Sequence, residues 1–249
     1  MSKGVLLFCT NTPTCEYHKI AEHCISLIQK NLKLEITVVT DFATYKKFKP
    51  MGMINYKLIE PELGNKRLGE QWNNLERRSA YDFSPYDTTI LIDCDYFCYT
   101  DNLLEYTNLQ EDFLVHDKIH DLTQTGVYNF RDDSIIPMIW ATVIIFKKTQ
   151  RVKNIFNMVS YIKDHYQYFC EMYRIKFTNF RNDYAFSIAL NQINGMTQQK
   201  FLPGKIATLP GLAKVKKFNE HGLVFEYDNK YAEVENQDVH VINKEIFNV

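Results

Sequence analysis

The chain has 249 residues, of which 45% are hydrophobic, and its 29 Lys and Arg residues nearly balance its 30 Asp and Glu residues. This composition is too apolar for general disorder, and the balanced charge excludes a globally basic nucleic-acid binder. No apolar run approaches the roughly 18 residues of a membrane helix, and the apolar stretch at the start is too short for a signal peptide, so we expect no membrane span.

The cysteines indicate a reducing environment rather than a disulfide framework. A chain of this length does not need disulfides, and it contains no C-x-x-C pair of the kind that binds structural zinc. We therefore expect free thiols in a cytoplasmic protein. The cysteines are Cys9, Cys15, Cys24, Cys94, Cys98 and Cys170.

The first forty residues predict a strand, a helix and a second strand. Residues 4–10 form a continuous apolar run, 14–32 have helical spacing of apolar residues, and 35–41 form another apolar run with a polar end. This order is the start of a βαβ unit, which predicts a parallel sheet with a right-handed crossover.

The rest of the pattern predicts one α/β domain over residues 1–249 with a C-terminal appendage. Residues 200–218 contain two Pro-Gly pairs and predict loops and short strands, and the tail from Glu220 onward is acidic and strand-like. Further strands are predicted at 57–60, 88–92, 112–116 and 139–146, and helices at 68–81, 153–173 and 181–193.

The strongest chemical signal is the pair Asp93 and Asp95, which follows the β-branched strand at 88–92. In open α/β sheets, ligands bind outside the carboxyl ends of the strands. Carboxylate oxygens suit Mg²⁺ or Mn²⁺, with phosphate oxygens and water completing the coordination. The pair therefore predicts a divalent-metal site, although a D-x-D pattern also arises by chance and often caps a turn.

The stretch S-P-Y-D-T-T-I-L-I-D-C-D-Y-F, followed by D-N-L-L-E-Y, resembles the core of the GT-A-fold glycosyltransferases. It is most similar to the glycogenin-like and galactosyltransferase-like group. The resemblance implies a Rossmann-type three-layer α/β sandwich with a mixed, mostly parallel sheet. It also implies that Asp93 and Asp95 hold Mn²⁺ or Mg²⁺, which bridges the diphosphate of a nucleotide sugar. Residues 1–117 would bind the nucleotide sugar, and residues 118–249 would bind the acceptor.

The C-terminal stretch Asp238-Val239-His240-Val241-Ile242-Asn243-Lys244 resembles the late His-x-x-Gly-x-x-Lys element of that family. The resemblance implies that His240 is a third metal ligand and that Lys244 contacts the diphosphate. The sequence departs from the pattern because Asn243 replaces a glycine and the lysine spacing differs. A histidine in an apolar strand is also an ordinary core residue.

The resemblance implies two residues at the sugar. Asn182-Asp183 resembles the family's Asp-Gln pair and places Asp183 close to the transferred sugar, although Asp at a helix start is also an ordinary cap. Ile139-Trp140-Ala141-Thr142 stands where the family has an Asn-Ser-Gly stretch, so Trp140 is expected to line the sugar pocket.

The donor contacts implied by the resemblance lie at strand ends and in the helix before the D-x-D. Arg78, or its neighbour Arg77, would face the donor phosphates, although two arginines on a helix are as often a solvated face. The nucleotide is expected to carry a uridine, because the family usually uses it, and would contact Thr10, Asn11, Thr12 and Asp41. The donor sugar would contact Asp117.

These expectations predict a metal-dependent glycosyltransferase that moves a sugar from a nucleotide sugar to an unidentified acceptor. If the enzyme inverts the anomeric centre, Asp183 is the candidate general base; if it retains the configuration, which the family group favours, Asp183 only orients the sugar. Two alternatives stay open: a nucleotidyltransferase acting on a sugar phosphate, which usually has a glycine-rich loop that this chain lacks, and a non-catalytic polyanion-binding protein.

Two further patterns have a functional and an ordinary interpretation. His116 and His120 would share one face of a helix as zinc ligands do, but His116 more plausibly ends a strand. The lysine-rich segment would attract an acidic acceptor, such as a phosphorylated glycan or DNA, or would simply be a solvated loop. Its lysines are Lys200, Lys205, Lys214, Lys216 and Lys217.

Overall fold

A computed structural model describes residues 1–67, 70–125, 134–176, 179–195 and 197–247 of the chain. Its strands are, in chain order, Lys3–Phe8 (β1), Glu35–Thr40 (β2), Ile54–Leu58 (β3), Lys66–Arg67 (β4), Glu70–Gln71 (β5), Thr88–Asp93 (β6), Tyr96–Phe97 (β7), Phe113–His116 (β8), Ile119–Asp121 (β9), Trp140–Lys147 (β10), Ile206–Leu209 (β11), Lys214–Phe218 (β12), Gly222–Tyr227 (β13), Lys230–Glu235 (β14) and Val239–Val241 (β15).

The α-helices are Tyr17–Leu27 (α1), Phe42–Tyr45 (α2), Ala80–Phe83 (α3), Asn102–Tyr106 (α4), Gln150–Asp164 (α5), Tyr166–Met172 (α6) and Asn182–Asn194 (α7). A π-helical segment, Ile28–Leu32, continues α1, and 3₁₀ turns lie at Leu75–Ser79 and Glu245–Phe247. Within the described residues, no helix combines the length and the apolar character needed to cross a membrane.

The central sheet has the strand order β3-β2-β1-β6-β10-β8. β3, β2, β1 and β6 pair in parallel, whereas β10 is antiparallel to both of its neighbours. The prediction of a mixed, mostly parallel sheet is therefore confirmed. In this register Phe8 lies opposite Asp93, so the loop after β1 and the Asp93–Asp95 turn leave the same edge of the sheet.

Both faces of the central sheet are covered, which gives the three layers expected from the sequence. Alternate residues of β1 enter different cores: Val5 and Leu7 pack with α1, and Leu6 packs with α5 and α7. A strand that is buried on both faces has no face exposed to water. This is why the sequence of β1 is a continuous apolar run. All six cysteines are buried and unpaired.

Three smaller sheets lie outside the central one in the described residues, and one of them is only the two-stranded pair of β4 and β5. In the four-stranded sheet, β15 lies between β7 and β11, and β9 lies beyond β11. The C-terminal chain therefore returns to the strand that directly follows the Asp93–Asp95 turn. β12, β13 and β14 form an antiparallel sheet, which corresponds to the predicted appendage.

The predicted helix at 68–81 is wrong between residues 70 and 74, and residues 68 and 69 lie outside the described residues. Arg67 and Glu70 pair across an antiparallel ladder, and helical structure begins only at Leu75. The physical reason is local, because the side chains of Asn73 and Asn74 favour turns over helix interiors.

The predicted helix at 153–173 is two helices. The chain leaves helical geometry at His165 (φ -121°, ψ 31°), between α5 and α6. The change of direction buries Tyr166, Phe169 and Cys170 of α6 against the core.

A substitution at Gly4 tests how closely β1 packs against the segment that precedes β6. A Cβ at this position would overlap the ring of Tyr86, and that ring is fixed because the Tyr86 hydroxyl lies 2.8 Å from the Thr37 hydroxyl. We expect Gly4→Ala to lower the free energy of unfolding by about 1–3 kcal/mol through overpacking, measured by urea denaturation.

The matched control is Gly211→Ala. A Cβ there would meet only a methyl group of Ile242 at an ordinary 3.9 Å, so we expect little change in stability. Equal stability of the two variants would contradict the packing described for β1.

Candidate metal and sugar-nucleotide site

The candidate site is built where the C-terminal chain meets the end of β6. Asp93 is the last residue of β6, and the chain then turns through Asp95 into β7. The Val241 N–H donates a hydrogen bond of 2.9 Å to the Asp95 carbonyl, and His240 pairs with Tyr96 across β15 and β7. The pairing of β15 with β7 thus brings the His240 side chain to the two aspartates.

Asp93, Asp95 and His240 each offer one ligand atom, and these three atoms all lie within 4.8 Å of one another. Asp95 Oδ1 is buried and accepts no hydrogen bond, while His240 Nε2 lies 3.4 Å from it. A buried carboxylate oxygen without a hydrogen bond is costly unless a cation or a donor occupies the site. Two carboxylates and an imidazole are ligands that fit Mn²⁺ or Mg²⁺.

The protein gives the two aspartates different charge environments. Burial raises the pKa of Asp93 to about 6, although the Arg77 guanidinium opposes this shift. Burial also acts to raise the pKa of Asp95, but Lys244 and His240 outweigh it and hold the pKa well below its usual range. Asp95 is therefore ionised at neutral pH, ready to bind a cation.

Lys244 reaches the site from the segment after β15. Its Nζ donates hydrogen bonds to Asp95 Oδ2 and to the Val241 carbonyl. Asn243, which departs from the family pattern, fixes this segment: its side chain donates to the Gly211 carbonyl (2.8 Å) and accepts from the Glu245 N–H (2.9 Å). The lysine predicted to contact the diphosphate thus lies beside the predicted metal ligands.

Asp238 anchors the strand that carries His240. Its Oδ1 accepts hydrogen bonds from the Thr100 N–H (2.7 Å) and from the Thr100 hydroxyl (2.9 Å). Burial raises the pKa of Asp238 to about 6 against the opposing effect of these hydrogen bonds. Sequence reasoning noted Asp238 only as part of the C-terminal motif and missed this anchoring contact.

Of the two arginines before β6, Arg77 is the one that reaches the site. Arg77 is 4% exposed, and it contacts Asp93, the Ala141 carbonyl and, at 3.1 Å, the Thr142 carbonyl. Arg78 instead forms ion pairs outside the site, with Glu62 at 2.6 Å and Asp164 at 3.9 Å. The placement favours Arg77 over Arg78 as the basic residue near the donor phosphates, and the sequence contained no signal that separates the two.

Asp183 lies in the first turn of α7 and is tied to the start of β10. Its Oδ1 accepts from the Ala141 N–H at 2.8 Å, and its Oδ2 accepts from Arg181 at 2.7 Å. Trp140, the residue before Ala141, is only 8% exposed and sits opposite His116 in the sheet. Arg77 and Asp183 thus both bond to the backbone of Ala141 in β10, and the sugar-site roles of Trp140 and Asp183 stay predictions.

The loop after β1 is ordered by its own hydrogen bonds. The Asn11 N–H donates to the Thr44 hydroxyl (2.9 Å), and Asn11 Oδ1 accepts from the His18 N–H (3.0 Å). Asp41 caps α2, because its two oxygens accept from the N–H and the hydroxyl of Thr44 at 2.9 and 2.6 Å. Nucleotide contacts by Thr10, Asn11, Thr12 and Asp41 stay predictions.

His116 and His120 do not share a helix face, because His116 ends β8 and His120 lies in β9. Burial lowers the pKa of His116 to about 4, so this imidazole is neutral. Asp117 follows β8 and lies 3.8 Å from Lys118, and its contact with the donor sugar stays a prediction. The zinc interpretation has no support in this geometry.

The lysine-rich segment is partly neutralised by the protein itself. Three of its lysines form ion pairs: Lys200 with Glu111 at 2.6 Å, Lys214 with Glu245 at 3.3 Å and Lys216 with Glu226 at 2.6 Å. These ion pairs are exposed, and no contact described for this segment supports DNA binding.

Arg77 is expected to matter far more for stability than Arg78. Removing one partner of a buried ion pair leaves an uncompensated charge and broken hydrogen bonds, so Arg77→Ala should lower the free energy of unfolding by about 3–5 kcal/mol. Arg78→Ala removes more exposed ion pairs and should cost about 1 kcal/mol or less. Urea denaturation of both variants measures the difference, and similar losses would contradict the placement of Arg77.

No protein-family model and no curated protein matches the sequence. Solved structures of glycosyltransferases do match the fold. The galactosyltransferase LgtC, in complex with donor and acceptor sugar analogues, has 13% identity and a TM-score of 0.50 over 75% of this chain and 70% of LgtC. GlyE of Streptococcus pneumoniae has 14% identity and a TM-score of 0.47 over 82% of this chain. Mouse xyloside xylosyltransferase 1 has 11% identity and a TM-score of 0.47 over 81% of this chain and 84% of that protein.

This chain spans 46% of the pneumococcal protein GlyE. At these identities a structural match shows only a shared fold. The assignment of the fold rests on the match to LgtC. The chain's own six-stranded, mostly parallel sheet fits that match. The chain therefore has the GT-A glycosyltransferase fold.

Proposed function

We propose that this chain is a metal-dependent glycosyltransferase that moves a sugar from a nucleotide sugar, with uridine diphosphate as the expected carrier, to a hydroxyl group of an acceptor glycan. The observation that carries the proposal is the convergence of Asp93, Asp95 and His240, whose ligand atoms lie within 4.8 Å of one another. They converge at the carboxyl edge of a GT-A sheet, which is where such folds bind ligands.

Asp93, Asp95 and His240 would hold the divalent cation. Once bound there, Mn²⁺ or Mg²⁺ would supply positive charge to the diphosphate as it leaves. In the transfer, the bond from the anomeric carbon to the diphosphate oxygen breaks. The acceptor oxygen then bonds to that carbon, and its proton passes to the released diphosphate.

Lys244 would add a second positive charge to the leaving diphosphate. Its ammonium lies beside Asp95, and groups aimed at developing charge stabilise the transition state more than the ground state. Arg77 would fix the position of Asp93 relative to the first residues of β10, because its guanidinium contacts both.

We assign Asp183 a positioning role because two contacts fix its carboxylate: its Oδ1 accepts from the Ala141 N–H and its Oδ2 accepts from Arg181. This role accompanies the retaining chemistry that the family resemblance favours, whereas an inverting enzyme would need Asp183 as its general base.

Donor binding is the direct test of the proposal. A nucleotide sugar at about 100 times its dissociation constant should stabilise the protein by about 2.7 kcal/mol in the presence of Mn²⁺, measured by thermal unfolding. We expect chelator to abolish the stabilisation, and Asp95→Asn and His240→Ala to lose most of it. Glu233→Gln, in the exposed strand β14, is the matched control and should behave like the wild type.

Stabilisation that survives in Asp95→Asn would contradict the metal assignment. Absence of stabilisation by any nucleotide sugar would contradict the proposal as a whole. Product analysis separates the remaining alternative, because a nucleotidyltransferase releases inorganic diphosphate from a nucleoside triphosphate, whereas the proposed enzyme releases a nucleoside diphosphate.

Asp183→Asn tests the role of this carboxylate. An asparagine side chain can still accept from the Ala141 N–H but loses the charge that pairs with Arg181. If Asp183 positions the sugar, we expect kcat to fall about tenfold and the anomeric configuration of the donor to be retained. A fall of about 10³-fold or more, with an inverted product seen by NMR, would identify Asp183 as the general base.

A further inference from the structure

The edge of the central sheet carries a surface that the proposed transfer reaction does not use. Residues 42–58, which form α2, the following loop and β3, are called the sheet-edge face. This segment contains four lysines and no acidic residue. Four of its large apolar side chains are exposed: Phe42 by 56%, Tyr45 by 40%, Met53 by 98% and Leu58 by 52%. A surface that gathers exposed apolar side chains marks a docking site.

The sheet-edge face is held in place by its own packing. The rings of Tyr45 and Phe48 lie 5.0 and 5.5 Å from the ring of Tyr56. Asp41 caps α2 through the Thr44 N–H at 2.9 Å. A surface fixed in this way loses little conformational entropy when a partner binds.

The lysines of this face are available to an anionic partner. Lys47 lies 3.3 Å from Glu16, which also pairs with Lys19, and Lys49 lies 3.6 Å from Glu22 while its side chain is 82% exposed. Exposed ion pairs of this kind contribute little to stability, so an anionic surface can compete for both ammonium groups.

Of the other two lysines, Lys46 adds to the same field, whereas Lys57 pairs with Val39 and faces the side of the sheet that α5 and α7 cover. Lys46 Nζ lies 4.2 Å from the centroid of the Phe42 ring, so the ammonium group makes a cation–π contact with an exposed aromatic side chain. Within the described ranges Lys46 and Lys57 take part in no ion pair with a carboxylate. The face is therefore cationic around its protruding apolar side chains.

We propose that the sheet-edge face attaches this protein to the surface of an anionic lipid bilayer. Lysines are drawn to anionic headgroups, and apolar side chains at the same surface enter the boundary between headgroups and acyl chains. Met53 and Leu58 favour a bilayer over a nucleic acid, because single-stranded nucleic acids are bound through phosphate contacts and aromatic stacking.

The position of the face gives this attachment a consequence. α2 directly follows β2, and β2 is parallel to β1 and β6, so α2 lies at the same edge of the sheet as Asp93. Attachment at this face would hold that edge near the bilayer. The proposal rests on exposed residues alone and stands whether or not the chain transfers a sugar.

Vesicle co-sedimentation tests the attachment. We expect the wild-type protein to bind vesicles of phosphatidylcholine with about one third phosphatidylserine, to bind pure phosphatidylcholine vesicles much less, and to dissociate as salt rises. Lys46→Gln/Lys49→Gln should weaken binding about 25-fold, from about fivefold for each lysine. Phe42→Ser/Met53→Ser should weaken it about tenfold.

The matched controls are exposed residues on the C-terminal appendage and the loops beside it. Lys205→Gln/Lys217→Gln removes the same charge, and Leu212→Ser removes an apolar side chain that is 71% exposed. We expect both controls to bind vesicles like the wild type. All of the variants change exposed side chains, so thermal unfolding should confirm that each keeps the native fold.

Three outcomes would overturn the proposal. The first is equal binding to anionic and neutral vesicles, or no binding to either. The second is an equal loss of binding in the controls, which would indicate a general charge effect. The third is a dimer in solution that the Phe42→Ser/Met53→Ser variant dissociates, which would make the face an interface between two copies of this chain.

Discussion

The site depends on the pairing of β15 with β7, which returns the C-terminal chain to the Asp93–Asp95 turn. The Val241 N–H binds the Asp95 carbonyl, and Lys244, 149 residues after Asp95 in the sequence, binds the Asp95 side chain. Closing a connection of this length costs conformational entropy, and the fold offsets it with a buried strand between β7 and β11. Asp238 secures the same strand from its other end through Thr100.

The second constraint is electrostatic. Two carboxylates near one another repel, and each is also partly removed from water, so the fold provides a separate cation for each. Arg77 serves Asp93 and Lys244 serves Asp95. Both cations also bind backbone carbonyls, of Ala141 and Val241, which fixes their positions. Asp95 still keeps one buried oxygen without a hydrogen bond, 3.4 Å from His240 Nε2, and a cation bound between these groups would satisfy it.

β10 connects the metal residues to the candidate sugar site. Arg77 and Asp183 both bond to the backbone of Ala141, and the register of β10 shifts between Trp140 and Ile144. An irregularity of this kind re-aims side chains at the end of a sheet. The start of β10 is therefore tied to both the aspartate turn and α7.

The sequence alone determined the fold class and the position of the aspartate pair. β1 and β6 could be predicted because a strand that is buried on both faces is a continuous apolar run in the sequence. The polar residues that follow parallel strands must lie at the carboxyl edge of the sheet, which is where ligands bind. The sequence could not separate Arg77 from Arg78, because their side chains differ only in direction and the predicted helix there proved to be a short ladder followed by a 3₁₀ turn. Local patterns could not join His240 and Lys244 to Asp95, because that contact arises from non-local pairing of two short strands; only the family resemblance placed them at the same site. Only the tertiary structure decided which charged groups meet, because the burial and pairing of a charge depend on neighbours that are distant in the chain.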